Sequence, residues 1–472
     1  MLFPTTTFAL FFALVLPLSW LTMPDGRRWR PFIVLASFIF YSWWDWRFVL
    51  LLGGSIVLNQ VFAVRIHRAR RPSLRKRLLI VALAANVGLL AYFKYYDFFV
   101  SSSQNLLSLV GLDMPLEIRS VVLPVGISFY TFMAISYIVD TYRGEFEPVS
   151  LGRFAAYLSF FPHLVAGPIV RPGELIPQFD PPRDPRRVDT SRAFFLIATG
   201  LFKKVVIANY LAANIADEVF GAPSQASSLE ILVGVYAYAV QIYADFSGYT
   251  DIAIGLALLL GFRFPQNFDS PYAATSVQDF WRRWHMTLSR WLRDYVYIPL
   301  GGNRGGALLT YRNLMLTMLI GGLWHGAGWT FVAWGAIHGV GLVAERWWRT
   351  RPGYVAPPDT ARRRAWHRFL TFQFVCFAWI FFRSDSFETA SELLRGLVTR
   401  WGEASPLVTP GVLLAIGVGI GSQYLPPRIP QTVTASFSRL PVLGQAGVLA
   451  LALMLTHAMG PEGVAPFIYF QF

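Results

Sequence analysis

The sequence predicts an all-α, polytopic membrane protein, and three observations carry that prediction. Hydrophobic residues fill 54% of the 472 positions and charged residues only 14%, a balance too apolar for a soluble chain of this size. Apolar stretches recur from end to end; at about 20 residues per crossing they amount to about ten or eleven spans. The basic residues behind the net charge of +14 cluster in short loops between those stretches, where they mark topology rather than a nucleic-acid surface. We therefore expect one integral-membrane domain over residues 1–472, with an aromatic tail at 460–472. The single cysteine, Cys376, lies in an apolar run and excludes an internal disulfide or a cysteine-rich metal site.

The elements follow in order. Residues 2–21 have no basic leader and no small-residue cleavage site, so they read as an uncleaved first span. The span ends at Pro24-Asp25-Gly26 and a basic group, Arg27, Arg28 and Arg30. Residues 31–64 are too long for one helix, and Trp43-Trp44-Asp45-Trp46-Arg47 interrupts them as an interfacial belt at the tip of a hairpin. Residues 65–77 carry seven Lys or Arg and no acid, which predicts a cytoplasmic loop and places the N-terminus outside.

Residues 78–100 cross back, 101–120 form a polar outer connection, and VVLPVGISFYTFMAISYIVDTY at 121–142 is a further span. Within 151–170, FFPHLVAGPIV predicts a broken or re-entrant helix, tolerated at membrane depth only when protein shields it or it lines a cavity. The linker 171–192 holds five prolines and both signs of charge, so it is expected at the surface. Spans at 192–219 and 229–262 follow, the second carrying QIYADFSGYTD with Asp245 and Asp251. After a central stretch at 279–339, residues 346–368 form a basic loop, expected to be cytoplasmic. Apolar pieces at 369–382, 408–420 and 442–457 complete the set. No internal repeat is visible, which disfavours a transporter built from inverted halves.

The central stretch, DFWRRWHMTLSRWLRDYVYIPLGGNRGG and then GGLWHGAGWTFVAWGAIHG, holds three of the seven histidines. Ionisable groups at membrane depth cost about 2.5–3.5 kcal/mol on insertion scales and usually face a cavity or a partner. At helical spacing Phe280, Trp281, Trp284, Leu288, Trp291 and Leu292 make an apolar stripe, and Arg282, His285, Ser289 and Arg293 fall opposite. The expectation is one amphipathic helix with a basic face suited to phosphates or to lipid headgroups. His325 lies among Gly321, Gly322, Gly326 and Gly328, which predict a helix break. An imidazole buried without a counterion stays neutral near pH 7 and can accept a proton, as a general base must; the bland alternative is a histidine bridging two helices. His338, thirteen residues on, would lie on nearly the opposite face of a continuous helix and is expected to pack against a neighbour. No HExxH or CxxC pattern occurs, so no metal site is expected.

Taken together, LPVGISFYTF, IVDTYRG, FPHLVAGPI, QIYADFSGYTDIAIG, NFDSPY, DFWRRWHMTLSRWLRDYVYIPLGG and GGLWHGAGWTF resemble the membrane-bound O-acyltransferase family, in its alginate O-acetyltransferase branch. The resemblance implies helices around a central tunnel that carries an acyl group across the bilayer. It implies His325 as the base of the Trp-His-Gly motif and His285 as its upstream partner. Trp324, Arg282, Ser289, Arg293 and Asn303 are then expected at the substrate and donor site. His163 departs from the glutamine frequent in relatives, a change we expect to be neutral. The tail, Phe467-Ile468-Tyr469 with Phe472, is similar to the C-terminal motif of the small partner protein in teichoic acid D-alanylation. That implies Tyr469 as an acyl relay, since an activated phenol can attack a thioester; the alternative is an aromatic anchor at the interface.

The expected function is transfer of an acetyl group from a cytoplasmic thioester, with acetyl-CoA as donor substrate and no bound cofactor, for O-acetylation of an extracellular or cell-wall polysaccharide. The expected setting is a bacterial inner membrane, with lipid, a polysaccharide acceptor and an extracytoplasmic serine-type (SGNH-like) acetyltransferase as partners, and no nucleic acid. The rival readings are D-alanyl transfer from a carrier protein, a polysaccharide transporter or flippase, and acylation of a lipid or secreted peptide.

Overall fold

The computed structural model describes residues 1–112, 121–180, 183–426 and 428–459, all helix or loop, with no strand among them. Tyr469 and the 460–472 tail lie outside the described residues. Six helices are long and apolar enough to cross a membrane, and Thr6–Thr22 and Pro410–Tyr424 are shorter apolar helices. The difference from ten or eleven lies in runs that fold shorter or more polar than a full span. Ile127–Arg143 has 17 residues, and Trp329–Thr350 ends in Glu345, Arg346 and Arg349. The chain divides into two compact units, Met1–Asp189 with Leu256–Pro265, and Thr190–Gly255 with Gln266–Phe472.

The first unit begins with α1 (Thr6–Thr22), capped by the Thr5 hydroxyl, which accepts from the Phe8 N–H. Asp25 caps α2 (Gly26–Ser42) in the same way, satisfying N–H groups that a helix start leaves open. Trp29 Nε1 donates to Ser19 Oγ at 2.9 Å and ties the pair. The basic stretch 65–77 ends α3 (Arg47–Arg68) and begins α4 (Pro72–Leu109). Between these two helices Asn86 Nδ2 donates to Asn59 Oδ1 at 2.8 Å, the buried amide contact that joins helices where hydrophobic contrast is weak. α5 (Ile127–Arg143) starts at Gly126, whose φ of 77° and close approach to the Leu164 carbonyl both exclude a side chain.

After α6 (Leu151–Ser159), the chain makes one turn at Phe161–Leu164 and runs on irregularly, buried throughout 160–170. The predicted break is there, shielded by protein. His163 is fully buried, its Nε2 3.0 Å from the Tyr157 carbonyl oxygen and its ring 5.3 Å from Phe264. Its surroundings are aromatic packing.

The second unit opens with α7 (Thr190–Gly221) and α8 (Ser228–Leu259). A Cβ on Gly200 would run into the Gly248 carbonyl, and one on Gly248 into that of Gly200, so the glycines permit a close crossing. π-Helical turns at Phe202–Ala208 and Ala212–Ala216 interrupt α7. In the first of them Lys204 Nζ meets Asp245 Oδ1 of α8 at 2.6 Å, buried, and Lys203 meets Asp251 at 2.6 Å, partly open. Then come α9 (Val277–Arg283), α10 (Met286–Leu292), α11 (Ala307–His325), α12 (Trp329–Thr350) and α13 (Ala361–Arg383). Further helices at Phe387–Thr399, Pro410–Gly421, Arg428–Ser438 and Val442–Met459 end the described chain.

Candidate active site

The amphipathic stripe of 279–293 does not form one helix. Ser276 caps α9 by accepting from the Asp279 N–H, and α9 stops at Arg283. The chain turns at Trp284 and His285 before α10 begins at Met286. His285 has φ 42° and ψ 54°, one of two positive-φ residues other than glycine among those described and a conformation that costs energy unless its surroundings impose it. Asn267 imposes it. The Met286 N–H donates to the Asn267 carbonyl at 2.9 Å, and Asn267 Oδ1 accepts from the Thr287 N–H at 3.2 Å and the Thr287 hydroxyl at 2.9 Å.

The turn corrects the expected placement of His285 beside Ser289 on a polar face: the imidazole points inward and is fully buried. Its Nδ1 lies 3.2 Å from Asn267 Oδ1. Because that oxygen is an acceptor, the neutral ring carries its proton on Nδ1 and leaves a lone pair on Nε2. Phe246 stands edge-on at 4.6 Å and Trp324 lies at 5.9 Å. Burial in this aromatic setting pushes the pKa of His285, in the turn outside the apolar spans, down to about 3.

His325 is the last residue of α11, and Gly326–Ala327–Gly328 forms the break before α12. A Cβ on Gly326 would collide with the Phe331 ring. The imidazole is 2% exposed and ringed by Trp324 at 5.0 Å, Trp334 at 4.9 Å and Phe382 at 5.2 Å. Trp324 thus stands against both histidines. The same break folds α12 back along α11, so His338 does not face away as on a continuous helix. It joins the cluster, 4.8 Å from Trp334, and accepts from Trp281 Nε1 at 3.2 Å.

Against α9 and α10 lies a cavity of about 560 Å³. Its lining includes Arg282, Ser289, Arg293 and Asn303, but not Trp324, which is in the aromatic core. Exposed residues, among them Gln278, Arg282, Arg293 and Arg349, form its mouth, and buried Trp281, Leu292, Thr317 and Met318 form its floor. Five arginines and one glutamate line it, a charge balance that suits phosphate. Arg349 pairs with Glu345 at 2.7 Å, and Tyr297 donates to Asn303 at 2.6 Å. Sequence reasoning missed Trp281, Arg346 and Arg349 as lining residues; for the two arginines the signal was the helical run continuing through what read as a loop, and Trp281 read only as part of the apolar stripe. Thr317 and Met318 precede His325 by eight and seven residues, about 10–12 Å along α11.

The model of the membrane-bound O-acyltransferase family matches residues 73–388. A "probable alginate O-acetylase" of Pseudomonas aeruginosa is 44% identical over 78% of this chain and 69% of its own. The peptidoglycan O-acetyltransferase of Helicobacter pylori is 41% identical over 78% of this chain and 73% of its own. At greater distance, the teichoic acid D-alanyltransferase of Streptococcus thermophilus is 29% identical over 54% of this chain and 67% of its own.

Proposed function

The chain belongs to the membrane-bound O-acyltransferase family, a multi-pass membrane enzyme of O-acyl transfer, and on that premise we propose that it takes an acetyl group from a cytoplasmic thioester for O-acetylation of a polysaccharide outside the cell membrane. The observation that carries this reading is the pair of buried imidazoles, His285 and His325, flanking Trp324 in the unit that also holds the arginine-mouthed cavity. Acetyl-CoA is the proposed donor. Its phosphates suit Arg282, Arg293 and Arg349 at the mouth, and its thioester arm suits the apolar floor.

In the proposed step His325 takes the proton of an acceptor hydroxyl as the oxygen attacks the thioester carbonyl. The C–S bond breaks, the sulfur leaves as thiolate and the proton passes to it, giving an ester and a thiol. His285, its Nδ1 occupied by Asn267, offers Nε2 to orient the reacting groups. The acceptor is the phenol of Tyr469 as a relay, or the hydroxyl of the polymer or of a serine-type transferase. The polysaccharide acceptor is supported by the similarity to an alginate O-acetylase and a peptidoglycan O-acetyltransferase.

The test is His325→Ala in proteoliposomes with acetyl-CoA and polymer. A loss of about 10²–10⁴-fold in kcat/KM is expected for a missing general base, and near wild-type acetylation removes His325 from that role. Tyr469→Phe should abolish transfer if the relay operates. The similarity to a teichoic acid D-alanyltransferase favours, as second reading, D-alanyl transfer from a carrier protein; purified protein that transfers from acetyl-CoA without any carrier decides against it.

A further inference from the structure

Within the second unit, one aromatic residue belongs both to the cavity and to the histidine cluster. Trp281 lines the cavity floor, and its ring also stands edge-on against Trp334 at 5.6 Å, which in turn lies 4.9 Å from His325. Trp324, the other indole beside His325, does not reach the cavity. The floor stops short of His325, and the Trp281 indole is the part of it that packs, through Trp334, toward that histidine.

That indole is held. Its N–H donates to His338 Nδ1 at 3.2 Å, and its ring meets Phe280 at 5.7 Å and the His338 ring at 5.1 Å. His338 is itself wedged between Trp334 at 4.8 Å and Phe374 at 5.5 Å, and it is fully buried. A side chain fixed at its polar atom and against several rings makes a wall of set width, because rotating it breaks a buried hydrogen bond and opens tightly packed space.

We propose that Trp281, locked by its hydrogen bond to His338, is the aperture between the donor cavity and His325 and limits the width of the acyl group that reaches the base. The inference rests on the acyl-transfer reading and adds to it a specificity residue and a positioning residue. A flat acetyl group passes; a branched or aromatic acyl group does not.

The experiment has two readouts. In the first, transfer from acetyl-, isobutyryl- and benzoyl-CoA is compared for the full-length protein and its variants in proteoliposomes. Trp281→Ala should raise the benzoyl-to-acetyl and isobutyryl-to-acetyl ratios by at least about tenfold, the scale on which pockets discriminate apolar groups. His338→Ala, which frees the indole, should move the ratios in the same direction. His338→Asn, which keeps an acceptor near Nδ1, should stay close to wild type. In the second, carbethoxylation of His325 by diethyl pyrocarbonate is followed by mass spectrometry, with protection expected in wild type and its loss in Trp281→Ala. Trp281→Phe serves if the alanine variant does not fold. Unchanged ratios with unchanged labelling in a folded variant overturn the aperture. A wild-type protein that transfers from none of these thioesters overturns the transferase reading, and the labelling then decides the aperture alone.

Discussion

The side-chain oxygen of Asn267 sits 3.2 Å from His285 Nδ1 and also accepts from the backbone N–H and hydroxyl of Thr287. One amide oxygen therefore fixes the tautomer of the imidazole and the left-handed turn that carries it. Asn267→Ala leaves those donors buried and unsatisfied, at about 1–3 kcal/mol for the group lost. The expected outcome is a lower melting temperature together with a fall in kcat larger than the change in KM. Asn267→Asp keeps the acceptor and should recover more of kcat than alanine does. Equal kcat in the two variants would separate Asn267 from the chemistry.

Burial sets the pH dependence of the same group. The pKa of His285 is lowered from 6.5 to about 3. Between those values the unfolded chain takes up a proton that the folded site refuses. Stability therefore falls as pH drops from about 6.5 toward 3, by at most about 1.4 kcal/mol per pH unit for this group. His285→Gln should flatten the melting temperature in detergent across that window relative to wild type. An unchanged slope would mean that other groups dominate.

How much of this could be read from the sequence differs residue by residue. The break at His325 was legible because Gly326 and Gly328 are local, and the shielded turn after Ser159 was legible from its prolines and glycines. The turn at His285 was not. Trp284 and His285 fit a helical period perfectly well, and what overrides it is Asn267, eighteen residues upstream, a contact made only in three dimensions. His338 packs against a neighbouring helix as expected, through Trp281 of α9, but its return to the cluster was not legible, because that depends on Phe331 and Trp334 packing back across the glycine break. The cavity arginines on α12 read as a loop because the basic cluster there masks the helical continuity. Membership of the family and the all-α fold rested on many short motifs in order, so no single misplacement could disturb them.

The buried Lys204–Asp245 pair predicts an asymmetry in stability. Both side chains are under 5% exposed, so removing one takes away the other's buried counter-charge, at about 3–5 kcal/mol. Lys204→Met and Asp245→Leu should each lower the melting temperature sharply, and the double variant should be more stable than either single one. The neighbouring Lys203–Asp251 pair is 28% and 21% exposed, where solvent screens the charges, and its single variants should cost less. If all four single variants behave alike, burial is not what separates the pairs.

At the cavity mouth Arg282 is exposed and faces the same space as Arg349, whose guanidinium is already engaged by Glu345 at 2.7 Å. Arg293 is likewise held, by Asp294 at 2.6 Å. A phosphate entering the mouth gains most from an exposed arginine with no carboxylate partner among the described residues, as Arg282 is, so Arg282→Gln should raise KM for acetyl-CoA several-fold and leave kcat nearly unchanged. The penalty should shrink as salt rises, because the charge lies at the surface. Acetyl-pantetheine, which has the thioester arm but none of the phosphates, should show no such increase. A KM that rises equally for both thioesters would mean that Arg282 shapes the mouth without reading the phosphate.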